Sequence, residues 1–306
     1  MRTRTAWSLV AFCLLLLVQP GFNAIEQLQV VQGIPIVRAA PLDVPTYATV
    51  PIARANVQPP ELVAQAAIVI DKNSGTVLFE KSADTTLYPA SITKMMTATI
   101  ALDTYPLDQV LTAHEESKAV GSVMGLKDGE QITVENVIKG LLVGSGNDAA
   151  YLLADNFPGG YQKFVDRMNE KAKEWHMTNT TFFNVSGVEQ EGHQTTVRDL
   201  ATLEKKAMEN EFFRDTVKSP RVTFTDLSGK IVHDLISTNE LLGVVPGIEG
   251  VKTGWTDDAG ECLVTQTTRN GHTIITVMLN SNDRFGESTR LIEWAFANHT
   301  WKSFSL

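Results

Sequence analysis

The stretch Tyr88-Pro89-Ala90-Ser91-Ile92-Thr93-Lys94-Met95-Met96-Thr97 places a serine and a lysine three residues apart at the start of an apolar segment. The proline breaks the preceding chain, so a helix is predicted to open at Ser91 and to continue through Ala101. Residues three apart on a helix share a face, so the amine of Lys94 can reach the hydroxyl of Ser91. By itself this spacing is weak evidence, because Ser-x-x-Lys is expected by chance about once in a chain of this length.

The regions on either side of this helix predict the fold class. Residues 67–70 and 76–79 are apolar strand-like runs around the turn sequence Asp71-Lys72-Asn73-Ser74-Gly75, which indicates a β-hairpin. Helices are predicted at residues 134–143, 147–156, 160–175, 197–209 and 285–298, and strands return at 221–225, 250–253, 261–267 and 273–279. We therefore expect an α/β protein of the α+β type, with an antiparallel sheet from both chain ends flanked by helices and a mainly helical middle region.

Two further short motifs carry polar side chains that suit acyl-transfer chemistry. Ser145-Gly146-Asn147 lies between two predicted helices, where a hydroxyl and an amide can relay a proton and bind a carbonyl. Lys252-Thr253-Gly254 supplies a cation, a hydroxyl for a carboxylate and a glycine that lets a peptide approach as an added strand. Ser237-Thr238-Asn239 repeats the second pattern, but it lies too close to Lys252 to belong to a separate helical element.

The order of these motifs is more specific than any one of them. Ser-x-x-Lys, Ser-x-Asn and Lys-Thr-Gly occur in this order in penicillin-binding proteins and class A β-lactamases. The chain resembles the low-molecular-mass penicillin-binding proteins, the D-alanyl-D-alanine carboxypeptidase family, from about residue 66 to 297. Besides the three motifs, the similarity includes residues 88–97, 180–184, Gly187, and residues 193–200, 239–242, 247–254 and 259–264.

The resemblance implies a role for each reactive side chain. Ser91 would be the acylated nucleophile and Lys94 its base, which requires a pKa lowered from about 10.4 by desolvation or a nearby cation. Ser145 would pass a proton to the leaving group, and Asn147 would orient the acyl amide. Lys252 would polarise Ser145 and help to hold Lys94 neutral.

The same resemblance implies the groups that bind substrate. The oxyanion would lie between the backbone N–H groups of the nucleophile and of Trp255, beside Gly254. Thr253 and Arg198 are candidates to bind the terminal carboxylate of the substrate. Arg284 is a further candidate for this role.

The family implies a serine-type D-Ala-D-Ala carboxypeptidase that trims peptidoglycan stem peptides and is acylated by β-lactam antibiotics, with no cofactor. The alternative is a D,D-endopeptidase that cuts cross-links. The chain ends within about ten residues of its last predicted helix, so we expect neither a C-terminal β-domain nor an amphipathic anchor. Short family members include such endopeptidases, and Pro158-Gly159-Gly160-Tyr161 resembles them.

Other classes fit the sequence less well. A class A β-lactamase usually has Ser-Asp-Asn where this chain has Gly146, and no loop with a suitably placed glutamate is apparent. A cell-wall-binding module without turnover remains open. The chain contains no Gly-x-Ser-x-Gly for a histidine-triad hydrolase, and its six histidines form no His-x-x-x-His, so no metal site is expected.

The N-terminal segment predicts export. Arg2 and Arg4 precede an apolar run at residues 6–18, so residues 1–24 are predicted to be a signal peptide, either cleaved or retained as a membrane tether. Residues 25–60 are rich in proline and are predicted to be a linker, followed by a catalytic domain at 61–306. The expected location is the periplasm or the extracytoplasmic face of a bacterial cell membrane.

Charge and cysteine content limit the partners further. The formal net charge is −9, which argues against a nucleic-acid partner attracted by a global positive field. Cys13 lies in the predicted signal peptide, so Cys262 would remain without an intramolecular disulfide partner. Its apolar neighbours predict a buried strand position for Cys262.

Overall fold

The computed structural model describes residues 49–55, 57–114 and 121–303, and the predicted signal peptide and linker residues 25–48 lie outside this range. The strands are β1 (Val50–Ala53), β2 (Ala66–Asp71), β3 (Val77–Lys81), β4 (Val110–Thr112), β5 (Gln131–Thr133), β6 (Arg221–Thr225), β7 (Val232–Ile236), β8 (Ile248–Thr256), β9 (Gly260–Arg269), β10 (His272–Ser281) and β11 (His299–Lys302). The helices are α1 (Lys94–Thr104), α2 (Val134–Leu142), α3 (Asn147–Asp155), α4 (Gly160–Glu174), α5 (Val197–Ala207), α6 (Glu211–Val217) and α7 (Arg284–Asn298).

Five strands from the two ends of the chain form the central sheet, in the order β3-β2-β10-β9-β8. All four neighbouring pairs are antiparallel. The predicted hairpin at 67–70 and 76–79 and the predicted sheet from both chain ends are thus confirmed. Strand β8 lies at one edge of this sheet, so one side of its backbone is free to pair with another extended chain.

Helices cover both faces of the sheet. Helix α5 lies against β2 and β10, while α7 lies against β9 and β10. The first eight residues of α1, 94–101, are buried, and Met95, Met96 and Ile100 are completely inaccessible to solvent. Burying such a side chain stabilises the fold by roughly 1.5–3 kcal/mol, so α1 is held rigidly in the core.

Two predicted boundaries are wrong in detail. The first turn of the predicted helix at Ser91 is a 3-10 turn, Ala90–Thr93, and the α-helix begins at Lys94. Residues 50–53 fall in the predicted linker, yet they form β1 and pair with β11, so the folded domain begins before residue 61. The strand was missed because Pro51 argues against a strand in the sequence. Proline is nevertheless tolerated in a two-stranded ribbon at a position where its missing N–H faces away from the partner strand.

Strand β6 was predicted at the correct residues, but it does not join the central sheet. It pairs with β7 in a separate hairpin, which the alternation of half-buried and exposed residues along both strands accommodates. Strands β4, β5, β7 and β11 and helix α6 were not predicted, because each is too short to give a clear periodic pattern. No helix among the described residues is long and apolar enough to span a membrane.

Glu204 on α5 is an unusual component of the core. Its side chain is fully buried, and neither carboxylate oxygen has a hydrogen-bond partner among the described residues. Burial raises the pKa of Glu204 to about 8. The folded protein therefore keeps this carboxyl protonated at a pH where the unfolded chain has released the proton.

The Glu204→Gln variant is expected to become progressively more stable than the wild type as the pH rises from about 4.5 to about 8. A raised carboxyl pKa contributes stability fully below the unfolded pKa, and that contribution is lost as the pH rises through the folded pKa. Urea unfolding at pH 5, 7 and 9 measures the difference, with Glu61→Gln at an exposed position as the control. A difference that does not change with pH would contradict this account of Glu204.

Candidate active site

Ser91 and Lys94 meet at the junction between the 3-10 turn and α1. The Nζ of Lys94 lies 2.6 Å from the Oγ of Ser91. Lys94 is fully buried, while Ser91 is partly accessible. The preceding residue, Ala90, has a φ of 46°, a left-handed conformation that is costly for a side chain with a Cβ. The local backbone is therefore held in a strained form that presents the hydroxyl beside the amine.

The surroundings of Lys94 favour its neutral form. Burial lowers the pKa of Lys94 well below its ordinary value, and the nearby cation of Lys252 lowers it further. The carboxylate of Asp148 opposes these effects by raising the pKa. Because desolvation is the largest of the three causes, the amine is suited to take a proton from Ser91.

Ser145 lies between the two lysines. Its Oγ accepts a hydrogen bond from the Nζ of Lys252 at 2.8 Å and lies 3.5 Å from the Nζ of Lys94. Its φ of 58° is left-handed, and its side chain is buried. The adjacent Asn147 opens α3 and donates its backbone N–H to the carbonyl of Ser122. The second motif thus brings a hydroxyl to a position where it can pass a proton between two amines.

The third motif lies on β8 and faces the first two. Lys252 is buried, and burial followed by the charge of Arg284 lowers its pKa to about 7. A Cβ at Gly254 would lie 3.1 Å from the backbone nitrogen of Ser91, so the glycine allows β8 to approach the nucleophile closely. Trp255 follows with its side chain 58% exposed.

The structure brings one of the two candidate arginines to this group. The Nη1 of Arg284 donates to the carbonyl oxygen of Gly254 at 2.9 Å. Arg198 is not brought there, and its predicted role in binding the carboxylate is wrong. It forms ion pairs with Glu80 and Asp84 on the side of β3, the sheet edge opposite β8. Three strands lie between these two edges, and neighbouring strands are about 4.8 Å apart. Arg198 therefore lies on the far side of the sheet from Lys252.

Asp148 is a site neighbour that sequence reasoning missed. Its carboxylate accepts the backbone N–H groups of Met124, Gly125 and Leu126, which fastens that loop to the start of α3. A Cβ at Gly146 would lie 2.8 Å from the Oδ1 of Asp148, so a larger residue would disturb this contact. The crowding explains why glycine occupies the middle of this motif. The sequence signal for this role of Asp148 is its place as an acidic residue in the first turn of a predicted helix.

His193 supports the nucleophile turn from behind. The backbone N–H of Phe183 donates to its Nδ1 at 3.1 Å, which leaves Nε2–H to donate to the Oγ1 of Thr93 at 2.9 Å. Burial lowers the pKa of His193 to about 4, so the ring is neutral at physiological pH. Thr93, inside the first motif, is thereby fixed by a neutral side chain.

Gly187 packs directly against the nucleophile turn. Its φ is +84°, and a Cβ there would lie 1.8 Å from the carbonyl oxygen of Ala90. Gly75, in the turn between β2 and β3, has a similar φ of +73° but open space around it. Both glycines have a left-handed backbone that disfavours a side chain, but only Gly187 also lacks the space for one.

The Gly187→Ala variant is expected to lose at least about 90% of its acylation by a fluorescent penicillin, because the carbonyl of Ala90 must move and carry Ser91 with it. Gly75→Ala should retain wild-type acylation and lose only about 1–2 kcal/mol of stability from its left-handed backbone. Labelling rates and urea unfolding of both variants separate the effects. Equal labelling of the two variants would show that the close contact of Gly187 is not needed.

Cys262 lies outside the group formed by the three motifs. Cys262 is fully buried on β9, as predicted, and burial raises the pKa of its thiol to about 12. It is therefore unreactive as a nucleophile. In the described ranges, no group of three or more His, Cys, Asp or Glu side chains is arranged to hold a metal ion.

A serine beside a buried lysine, with a second serine and with a second lysine on the edge strand of the sheet, is the arrangement that penicillin-binding proteins share with class A β-lactamases. The chain matches the D-alanyl-D-alanine carboxypeptidase family model, peptidase S11, over residues 53–283, and it belongs to this family.

Relatives and solved structures agree with this assignment. The chain is 32% identical over 245 residues to the D-alanyl-D-alanine carboxypeptidase DacF of Bacillus subtilis, covering 77% of this chain and 63% of that protein. It is 35% identical to DacC of Escherichia coli, covering 80% of this chain and 64% of that protein. The match thus spans less than two thirds of either relative's length. The crystal structure of the Streptomyces K15 DD-transpeptidase has a TM-score of 0.75 and 31% identity, covering 79% of this chain and all of that one. The predicted penicillin-binding-protein-like fold is confirmed.

Proposed function

We propose that the chain is a serine D-Ala-D-Ala carboxypeptidase that removes the terminal D-Ala from peptidoglycan stem peptides. The observation that carries the proposal is the 2.6 Å approach of the Lys94 Nζ to the Ser91 Oγ, with Lys94 fully buried. A buried neutral amine at this distance is a general base for a serine nucleophile.

Acylation begins with attack of the Ser91 Oγ on the carbonyl carbon of the penultimate D-Ala, while Lys94 takes the hydroxyl proton. The negative charge on the carbonyl oxygen is stabilised by the backbone N–H groups of Ser91 and Trp255. The peptide C–N bond then breaks, and the proton travels through Ser145 to the amine of the departing D-Ala. Water hydrolyses the resulting Ser91 ester and regenerates the hydroxyl.

Substrate binding uses the free edge of β8. The stem peptide pairs with this edge as an added strand, and the amide of Asn147 orients its acyl carbonyl. Lys252, Thr253 and Arg284 bind the terminal carboxylate. A β-lactam follows the same acylation path, but its opened ring leaves a stable ester on the serine.

The proposed location is outside the cytoplasm, where peptidoglycan is found. The signal-like N-terminal sequence and membership of the family support this location. Retention of the N-terminal segment would tether the domain to the membrane.

A D,D-endopeptidase is the second candidate. A relative called D-alanyl-D-alanine endopeptidase in Pseudomonas aeruginosa is 34% identical over 241 residues, covering 76% of this chain and 77% of that protein. This relative is matched over a larger share of its length than DacF or DacC. The same acyl-enzyme on Ser91 serves both reactions, so they differ only in the amine that leaves.

Purified muropeptides test the two candidates directly. Uncross-linked pentapeptide monomers should release free D-Ala, whereas endopeptidase activity should release monomers from cross-linked dimers. Ser91→Ala is the matched control and should form neither product. Absence of both products with the wild-type protein would refute the proposed function and favour a binding module, and rapid hydrolysis of penicillin would favour a β-lactamase.

A further inference from the structure

The sequence Ser237-Thr238-Asn239, which does not supply the proton-relay serine, contacts the third motif. The Oγ1 of Thr238 lies 2.6 Å from the Oγ1 of Thr253 on β8. Thr238 is half-buried and is the second residue after the end of β7. The contact therefore joins a residue with no assigned role to a proposed binder of the substrate carboxylate.

The backbone around Thr238 is fixed on both sides. The N–H of Ser237 donates to the carbonyl of Pro220 at 2.9 Å, which ties the segment to the start of β6. On the other side, the buried Asn239 accepts the N–H of Leu241 with its Oδ1 at 3.1 Å. Thr238 is thus presented to Thr253 by a short segment that is anchored before and after it.

The hairpin formed by β6 and β7, which precedes Thr238, contacts the loop that carries the second motif. A Cβ at Gly144 would lie 3.2 Å from the Cδ1 of Leu235 on β7, so Leu235 packs against the residue before Ser145. The β6–β7 hairpin therefore touches the loop that carries Ser145, and the segment that follows β7 contacts the strand that carries Thr253. Its position sets Thr238 relative to both of these parts of the site.

When substrate is bound, the positions of the hydroxyl protons determine which of the two threonines donates the hydrogen bond between them. Only one hydroxyl proton can lie between two oxygens 2.6 Å apart. A carboxylate can only accept, so Thr253 must turn its own proton towards the substrate. The proton between the two hydroxyls must then come from Thr238. A donor hydrogen bond received by Thr253 also strengthens the bond that Thr253 donates.

The neighbouring cations, Lys252 and Arg284, do not orient the Thr253 hydroxyl. Lys252 donates to the carbonyl oxygen of Thr253 at 3.1 Å and to Ser145, and Arg284 donates to the carbonyl oxygen of Gly254. These two groups attract an anion but do not decide which way the Thr253 hydroxyl points. The hydroxyl pair is the directional part of the carboxylate pocket.

We propose that Thr238 is a positioning residue that orients the Thr253 hydroxyl towards the free carboxylate of the substrate and so favours acidic over esterified C-termini. This inference rests on the proposed function, because it assumes that Thr253 binds that carboxylate. Thr238 touches no reacting atom and acts through Thr253.

The test compares benzylpenicillin with its methyl ester, which lacks the negative charge. Thr238→Val keeps the shape of threonine but removes the hydroxyl, and it should lower the second-order acylation rate constant for the acid about tenfold or more. The rate constant for the methyl ester should stay within about twofold of the wild type. Thr238→Ser should restore the rate with the acid, and Thr225→Val, at an exposed position on the same hairpin, should leave both rates unchanged.

The other outcomes separate this inference from the proposed function. Equal losses with the acid and the ester, or no loss with either, would overturn the role of Thr238 while leaving the acyl-enzyme intact. Failure of serine to restore the rate would also count against it. A wild-type protein that neither compound acylates would overturn both this inference and the proposed function.

Discussion

The Lys94→Arg variant is expected to be acylated by benzylpenicillin about a thousandfold more slowly than the wild type. Arginine keeps its proton at every accessible pH, so it cannot act as the base that Ser91 requires. Burial lowers the pKa of Lys94 well below its ordinary value, and this allows the wild-type side chain to be neutral. Stopped-flow fluorescence with a labelled penicillin measures the rate.

Lys127→Arg, at an exposed position, is the matched control and should be acylated at the wild-type rate. A thermal melt of both variants shows whether the arginine at position 94 disturbs the core. A well-folded Lys94→Arg protein with an acylation rate within about threefold of the wild type would exclude Lys94 as the base.

The Lys252→Met variant is expected to lose about a hundredfold in acylation rate and to shift the acid limb of its pH profile to higher pH. The rate loss follows from removal of the hydrogen bond to the Ser145 Oγ, which is 2.8 Å long. The shift follows from electrostatics, because the Lys252 cation helps to lower the pKa of Lys94. Without that cation, Lys94 holds its proton to a higher pH, so activity falls off earlier as the pH is lowered.

Acylation rates between pH 4 and 9 test both effects. Lys252→Arg preserves the positive charge, so its acid limb should stay near that of the wild type even if its rate is reduced. An unshifted limb in Lys252→Met would show that the two lysines are not electrostatically coupled.

The three site motifs that the structure brings together lie in settings that local sequence patterns indicate. Ser91 opens a helical region, Ser145 lies between two helices, and Lys252 lies on an apolar strand, so each motif had a clear structural setting. Their order along the chain then identified them as one site. The same patterns placed most helices and four of the five central strands within one or two residues of their observed ends, while β8 extends three residues beyond its predicted end.

The errors concern contacts between distant parts of the chain. Arg198 resembled a carboxylate binder, but the packing of α5 against the sheet places it beside the acids near β3. Thr238 lay in a rejected motif, because nothing local shows that the segment after β7 passes beside Thr253. Asp148 and His193 act through loop backbones and a neighbouring threonine, and periodicity does not reveal such contacts.

Covalent attachment of penicillin to Ser91 is the central claim, and peptide mapping by mass spectrometry tests it most directly. After incubation with benzylpenicillin and proteolysis, the peptide containing residues 88–94 should carry the mass of one penicilloyl group, with fragmentation placing it on Ser91. Ser91→Ala should carry no adduct at any position. An adduct on another residue, or equal modification of Ser91→Ala and the wild type, would contradict the account.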